Sequence, residues 1–596
     1  MILQKFLFDL RNKDTDRLYV DYSGTVQKSD DIVFMSQGAK LDLKTYFNCF
    51  AAGKWRKYTK ISTIRCEFLL SGKAEICVYS LAHDREKVNK KLLCSQTVDL
   101  KEAGRTQTRS IAISEGDVFA VEIKAEEGGA CLYEGTWITD DEIAQNEVNL
   151  GIGICTFKRE AYVERNMNQL KAEILENEKA LSYGHVQVCI SDNAGTLVHD
   201  KIASPSIQVV NNKNLGGVGG FTRDMLELME NPSITHVLLM DDDAVIAPGA
   251  VEKTYMFLSA LKEEYKDYIV GGGLLRQDRP VLQYEAGAMW NDGDIAAHNH
   301  DMDMTQLENV ICNEKERVTE YAGWWYSCIP VSFIKDKQLP LPLFIHRDDI
   351  EYGLRAEGKF IFLNGICVWH EAFENKLPGF LEYYDVRNLA ITNAIHNKNY
   401  TAKQFKKMLF IQVSSNIGKY RYRYVDLNLK GAVDFLKGFQ WFYRLDTLEY
   451  HKSLAKYNYQ AVDAGEFVGY HGMTEEDLQP CQTEEDERPS AIIRLIKMMT
   501  FNGHFLPARK ESVRVVRPNP NIYDLFRMKE VIYVDSNGKA VHVKRNLGEF
   551  FEAYIKLYKV FRLIDKHYER ACKEFLENHK KIQSHEFWRE YLLNDM

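Results

Sequence analysis

No run in the chain approaches the ~20 consecutive apolar residues that a membrane-spanning helix needs. Met1 to Leu10 holds a few apolar residues but turns charged at Arg11-Asn12-Lys13-Asp14. It lacks the apolar core and small-residue cleavage site of a signal peptide. No Cys-x-x-Cys pair occurs among the 12 cysteines. Cys155, Cys189 and Cys367 lie in apolar runs and read as buried thiols. A disulfide framework is therefore not expected, and a reducing cytoplasm is. Positive charge is not in excess either: the net charge is -9, which argues against nucleic acid as the main partner. No internal repeat and no low-complexity tract is evident.

What is present is an ordinary folded-protein composition spread over 596 residues, 45% hydrophobic and 27% charged, with aromatics somewhat rich at 12%. Such a length exceeds one core. Three parts are read: residues 1–147 as a β-sandwich, 148–398 as an α/β unit with a mostly parallel sheet, and 399–596 as mainly helical. In the first part, Ile64 to Leu70, Ala74 to Ser80, Thr106 to Ile113 and Val118 to Ala125 read as short strands. Ser71-Gly72 and Glu115-Gly116-Asp117 read as the turns between them. Tyr46, Phe47 and Trp55 fit either a sugar-binding surface or the sandwich core.

From Val148 strands alternate with helices. Leu150 to Thr156, Val186 to Ser191, Ile207 to Val210 and Val237 to Met240 read as strands, with a helix near Ala161 to Leu181. The pattern predicts a mostly parallel sheet, whose ligands bind at the carboxyl ends of its strands. Later, Val531 to Val543 reads as a hairpin turning at Asn537-Gly538, and Phe550 to Leu576 as a long amphipathic helix. The acidic runs Glu475-Glu476-Asp477 and Glu484-Glu485-Asp486-Glu487 read as a solvated loop.

The chemistry-bearing residues sit at the predicted strand ends. In Thr235-His-Val-Leu-Leu-Met-Asp241-Asp242-Asp243 an apolar strand stops at three carboxylates, which need a cation or solvent beside them. In an extended chain alternate side chains share a face, so Asp241 and Asp243 can point together. Oxygen ligands of this kind suit Mn²⁺ or Mg²⁺, which would neutralise a leaving diphosphate. A solvated turn or helix cap is the bland alternative. Asn214-Leu-Gly-Gly-Val-Gly-Gly220 precedes a helix, as a phosphate-binding loop or a merely flexible one would. Arg159 can hold a phosphate or base, and Asp192 and Asn193 can read a nucleobase edge; turn chemistry is the bland alternative for each.

Further on, Trp324-Trp325 offers a sugar platform or core packing. Asp348-Asp349-Ile350-Glu351 opens a helix in which Glu351 and Arg355 are spaced to pair. Its acids can serve as an N-cap or as a general base that takes a sugar-hydroxyl proton. His370 follows a strand and fits a metal, a phosphate or a structural role. Arg387 can face a diphosphate or pair with Asp385.

In this order Arg159, Asp192-Asn193, Asn214-Leu-Gly-Gly, Asp241-Asp-Asp, Trp324-Trp325, Asp348-Asp349-Ile-Glu and Trp369-His370 resemble family 2 glycosyltransferases with the Rossmann-like GT-A fold. More closely the chain is similar to the bacterial galactofuranosyltransferases that polymerise cell-wall galactan. The layout resembles them along nearly the whole chain. The resemblance implies Asp241, Asp243 and His370 as metal ligands, with Asp242 near the donor ribose or sugar. It implies Arg159, Asn193 and Asn214 on uridine diphosphate, Asp349 as base with Asp348 beside it, and Trp324 and Trp325 along the acceptor. It further implies a UDP-galactofuranose donor, inversion at the anomeric carbon, a glycan or lipid-linked glycan acceptor and a homo-oligomer. His346, Arg347 and Tyr326 have no counterpart to assign. Other UDP-hexoses, or a non-catalytic carbohydrate-binding protein with a transferase fold, are the alternatives. The basic and aromatic set Lys403, Lys406, Lys407, Lys419, Arg421, Arg423 and Trp441 suggests peripheral contact with the inner face of a membrane, or else solvated helix faces.

Overall fold

The computed structural model describes residues 1–10, 12–29, 32–84, 87–114, 116–479, 490–510 and 512–593. The acidic run Glu484-Glu485-Asp486-Glu487 lies outside them, as does Glu115.

The first part is mostly β, and its main strands are longer than the sequence suggested. Thr63–Asp84, Lys87–Gln107 and Val118–Ile138 are antiparallel neighbours that carry the shorter strands at their sides. Ser71-Gly72, read as a turn, is an irregularity inside one strand. Gly72 adopts φ +87°, and a Cβ there would lie 2.3 Å from the Gly129 carbonyl oxygen. Glycine thus lets the pairing bend without ending. The segment read as one strand over 106–113 is the end of Lys87–Gln107 and a separate Ile111–Ala112.

Tyr46, Phe47 and Trp55 belong to the core, with 1%, 2% and 0% exposure, which removes them as a sugar-binding surface. Trp55, on the helix Ala52–Tyr58, stacks on Phe50 and meets Phe257 edge-on at 5.1 Å. Phe257 lies on Ala250–Ala260, a helix beside the second sheet, so one continuous core joins the two parts. One buried lysine, Lys54, also crosses this joint, and a second, Lys253, bonds within the second part. Lys54 pairs with Glu314 at 2.9 Å, and Lys253 donates to the Asn364 carbonyl at 2.7 Å.

The second sheet positions the site. Leu150–Thr156 lies between Val186–Asp192 and His236–Asp241, with Ile207–Asn211 outermost, all parallel. The sheet is mixed beyond: Ser327–Pro330 runs antiparallel, and Ile269–Arg276 pairs in parallel with Phe360–His370. Register aligns Thr156 with Asp192, Cys155 with Asp241, and Arg276 with His370. Four functional strand ends therefore share one edge. The helix read over 161–181 is shorter: Glu160–Leu170 continues as one wide π turn, Lys171–Leu175.

Three helices of the last part, Ala402–Gly418, Tyr422–Leu436 and Leu547–Asn578, pack with Leu381–His396, which precedes the boundary read at 398, beside a small sheet. Phe550, Ala553, Leu557, Val560, Ile564, Tyr568, Ala571 and Phe575 recur every three or four residues and form the buried stripe of the longest helix. The hairpin turning at 537–538 is present as Glu530–Val534 and Lys539–Lys544. The basic set read as one face is divided: Arg421 is buried on the Tyr533 ring and Lys406 pairs with Asp565. Among the described residues no helix is long and apolar enough to cross a membrane.

Trp55→Ala removes the ring that joins the first part to the second. It is expected to lower unfolding free energy by about 3–5 kcal/mol in urea titrations, because the joint cannot collapse around the void.

Candidate active site

Asp241 closes its strand, and the turn that follows carries Asp242 and Asp243 before the short strand Val245–Ile246 pairs with Val368 and Trp369. That pairing brings His370 back to the triplet. Asp241, Asp243 and His370 each offer a ligand atom, all within 4.8 Å of one another. His370 Nε2 lies 3.1 Å from Asp243, while its Nδ1 approaches the Glu371 carbonyl at 2.7 Å. Two carboxylates this close repel by on the order of 3–4 kcal/mol at an effective dielectric of about 20. Burial, then the Asp243 and Asp242 charges, push Asp241 up to about 7. Burial acts the same way on Asp243, yet His370, Arg159 and Lys376 hold it well below the ordinary range. Hard oxygens with one imidazole fit Mn²⁺ or Mg²⁺, and Asp241 is the ligand still short of positive charge.

Asp242 turns away from this trio. It accepts from the Thr156 hydroxyl and from Arg159, both at 2.8 Å. Arg159 also meets Asp243 at 2.7 Å, so one guanidinium bridges two of the three acids. Lys376 reaches Asp243 at 3.5 Å from the loop after His370. That loop is tied to the sheet by buried Arg276, which bonds Asp278 and, at 2.6 Å, Glu374.

A cavity of about 750 Å³ opens beside Asp241. Trp324, Trp325, Tyr284, Asp348 and Asp349 line it, as does Glu285. Asp348 and Asp349 begin the helix Asp348–Leu354. Burial and the neighbouring Asp349 push Asp348 up to about 8. Asp349 is also raised by burial, with the Ile350 amide, His346 and Arg347 pulling it back. Glu351 points elsewhere, into a buried pair with Arg355 and His396.

Glu285 was not identified from the sequence. It ends the strand Leu282–Glu285, is 3% exposed, and one of its oxygens has no hydrogen-bond partner among the described residues. Burial first, then the Asp349 charge, raise it to about 8. No local motif marks it; a lone Glu in Val281-Leu-Gln-Tyr-Glu285 reads as an ordinary strand residue.

The remaining residues singled out in the sequence divide. Trp324 and Trp325 line the cavity and also pack: Trp324 meets Phe221 edge-on, and Trp325 donates to the Gly272 carbonyl. Asp192 uses both oxygens on the amides of Ala194, Gly195 and Leu197, which shapes its loop. Asn193 donates to the Gly216 carbonyl and accepts from Asn212. Asn214 accepts from the Gly216 amide at 3.1 Å. The glycine segment is the start of the helix Gly216–Met229. At Gly220 a Cβ would fall 2.2 Å from the Cys155 sulfur, so glycine there permits close helix–strand packing. Arg387 is buried among Tyr383, Tyr384 and Phe442, donates to the Leu343 carbonyl, and does not line the cavity. Tyr326 is core, its hydroxyl 2.6 Å from that of Thr254.

Parallel strand ends, an Asp-x-Asp turn and a cavity over the sheet edge define a GT-A glycosyltransferase fold, and residues 152–378 match glycosyltransferase-like family 2. Residues 3–143 match the family galactofuranosyltransferase 2 N-terminal. Over these two matched stretches the chain is similar to a galactofuranosyltransferase N-terminal region followed by a family 2 glycosyltransferase domain. It is 26% identical over 432 residues to galactofuranosyltransferase GlfT2 of Mycolicibacterium smegmatis, covering 64% of this chain and 62% of that one. To GlfT2 of Mycobacterium tuberculosis it is 26% identical over 388 residues, covering 60% and 59%. The matched region thus spans about three-fifths of either relative. A mannosyltransferase from Pyrobaculum calidifontis, solved with GDP-Man and Mn²⁺, is 10% identical with a TM-score of 0.28, covering 53% of this chain and 83% of that one.

Glu285 makes a pH-dependent contribution whose sign follows from its raised value. Its stabilising neutral form is fully present below the ordinary carboxylate value and is lost as pH rises through about 8. Glu285→Gln cannot ionise. Its thermal midpoint is expected to gain on the parent progressively between about pH 6 and about pH 9. An offset that stays constant over that range would show Glu285 already ionised at its lower end.

Proposed function

We propose that this chain transfers a hexosyl unit, galactofuranosyl from UDP-galactofuranose, to a growing cell-surface glycan with inversion at the anomeric carbon. The observation that carries the reading is the meeting of Asp241 and the Asp348-Asp349 pair in one 750 Å³ cavity lined by two tryptophans. One wall offers cation ligands for a diphosphate; the other offers carboxylates for a proton. The likeness to the two galactofuranosyltransferases supports the furanosyl donor.

Asp241, Asp243 and His370 would hold Mn²⁺ or Mg²⁺, which supplies charge to stabilise the departing diphosphate. Arg159 and Lys376, already drawn to Asp243, are placed to exchange that carboxylate for phosphate oxygens. Asn193 and Asn214, at the neighbouring strand ends, would shape the nucleotide side. Asp349 takes the proton from the acceptor hydroxyl as that oxygen bonds to the anomeric carbon, and the bond from that carbon to the UDP oxygen breaks. Asp348, pushed up beside it by burial and the Asp349 charge, keeps the pair from carrying two charges at once. Trp324 and Trp325 supply apolar faces for sugar rings.

The test is a panel of UDP-sugars with Mn²⁺, read as UDP release and acceptor elongation. Elongation with UDP-galactofuranose is expected; elongation only with another UDP-hexose would overturn the donor. Asp349→Ala is expected to lose about 100- to 10,000-fold in turnover while Mn²⁺-dependent UDP binding survives. Near-normal turnover removes Asp349 as the base.

The acceptor reading brings with it peripheral contact with an anionic membrane. What supports it is the helix Ala491–Met499, where Ile492, Leu495, Met498 and Met499 are each more than half exposed and Arg494 and Lys497 lie between them. Leu495→Asp is expected to weaken co-sedimentation with anionic vesicles at low salt. No vesicle binding by the unmodified chain would end this part of the reading.

A further inference from the structure

Phe344, His346 and Arg347 stand at φ +77°, +68° and +66°, three non-glycine residues in the left-handed region within four positions. Such residues persist only where their surroundings hold them. They immediately precede Asp348 and Asp349, so their conformation sets where the helix Asp348–Leu354 begins and which way its first acids face.

What holds them comes from another element. Asp385, on the helix Leu381–His396, accepts from His346 Nε2 at 2.9 Å and from Arg347 Nε at 2.8 Å. Arg347 Nη2 donates to the same carboxylate oxygen, and Gln412 donates to the other. Three residues on, Asn388 donates to the carbonyls of Ile345 and His346 at 3.0 and 2.8 Å. Arg347 is itself buried, stacked 4.8 Å from the Trp290 ring and donating to the Gly293 carbonyl. Arg347 and His346 are also the side chains that oppose the upward push of burial on Asp349.

We propose that Asp385 is a positioning residue. By clamping His346 and Arg347 it maintains the left-handed turn that aims Asp349 into the cavity, and it ties the helix Leu381–His396 to the proton-accepting wall. The inference rests on the reading of Asp349 as the base, but the clamp has a readout that does not.

Asp385→Asn keeps the size and an acceptor oxygen while removing the charge. Amide hydrogen exchange over residues 344–351 is expected to accelerate by about tenfold or more, with the first sheet unchanged. In UDP-sugar turnover kcat is expected to fall roughly 30-fold while the donor KM stays within about twofold. Asp385→Glu, which retains the carboxylate, should recover part of kcat. Arg347→Gln combined with Asp385→Asn should cost no more than about twofold beyond the worse single variant, since both act through one contact. Unchanged exchange over 344–351 overturns the clamp whatever the activity. Additive losses, or a donor KM that rises as kcat falls, overturn the coupling to Asp349. If the unmodified chain turns over no UDP-sugar, the transferase reading fails, and the exchange measurement decides the clamp by itself.

Discussion

Asp241, Asp242 and Asp243 place three carboxylates at the end of a strand whose preceding four residues are fully buried, and their mutual repulsion must be met locally. The answer comes from three stretches of chain. Thr156 and Arg159 reach in from the neighbouring strand end, His370 arrives by way of the pairing at Val245–Ile246, and Lys376 follows on the next loop. Arg276, buried and bound to Glu374, fixes that loop in turn. Among the described residues the arrangement leaves one acid, Asp241, without an ion-pair partner of its own. That residual imbalance is the physical basis for reading the trio as a divalent-ion site.

The opposite wall of the cavity solves a different problem. Glu285, Asp348 and Asp349 are three acids in apolar surroundings with few cations in reach, and burial raises all three. Where the wall beside Asp241 lowers Asp243 through charge pairing, this wall raises its acids by burial. Two neighbouring carboxyl groups of contrasting setting are a recurrent way to separate electrostatic and proton-accepting roles. The two walls come from distinct parts of the fold: the parallel sheet supplies the first, while the second is anchored through Asp385 and Asn388 to the helix Leu381–His396.

Much of this was legible beforehand for local reasons. Strand-end acids after an apolar run, a glycine segment before a helix, and two tryptophans in a row are contiguous patterns, and each lies near the cavity or its supporting turns. Other readings had no local discriminator. Trp55 and Tyr46 carry the same side chains whether they bind sugar or fill a core; only their contacts with Phe257 and the second sheet separate the two. Ser71-Gly72 has turn composition, yet its bend is absorbed within a paired strand because Gly129 faces it from the partner. Glu285 belongs to no motif and reaches the site only through sheet pairing with Leu274.

The order of strands and helices in the middle of the chain, the Asp-x-Asp turn and the mostly β character of the first part follow from the sequence alone, because period, turn chemistry and like-charge clustering act over a few residues. Which carboxylates are charged, which tryptophans face the cavity, and what holds Asp349 in place were decided only by tertiary structure. Those outcomes depend on burial and on partners distant in sequence, as with Asp243 and His370, or Arg347 and Asp385. The electrostatics of a buried acid are set by whatever the fold brings beside it, and that is not a local property of the chain.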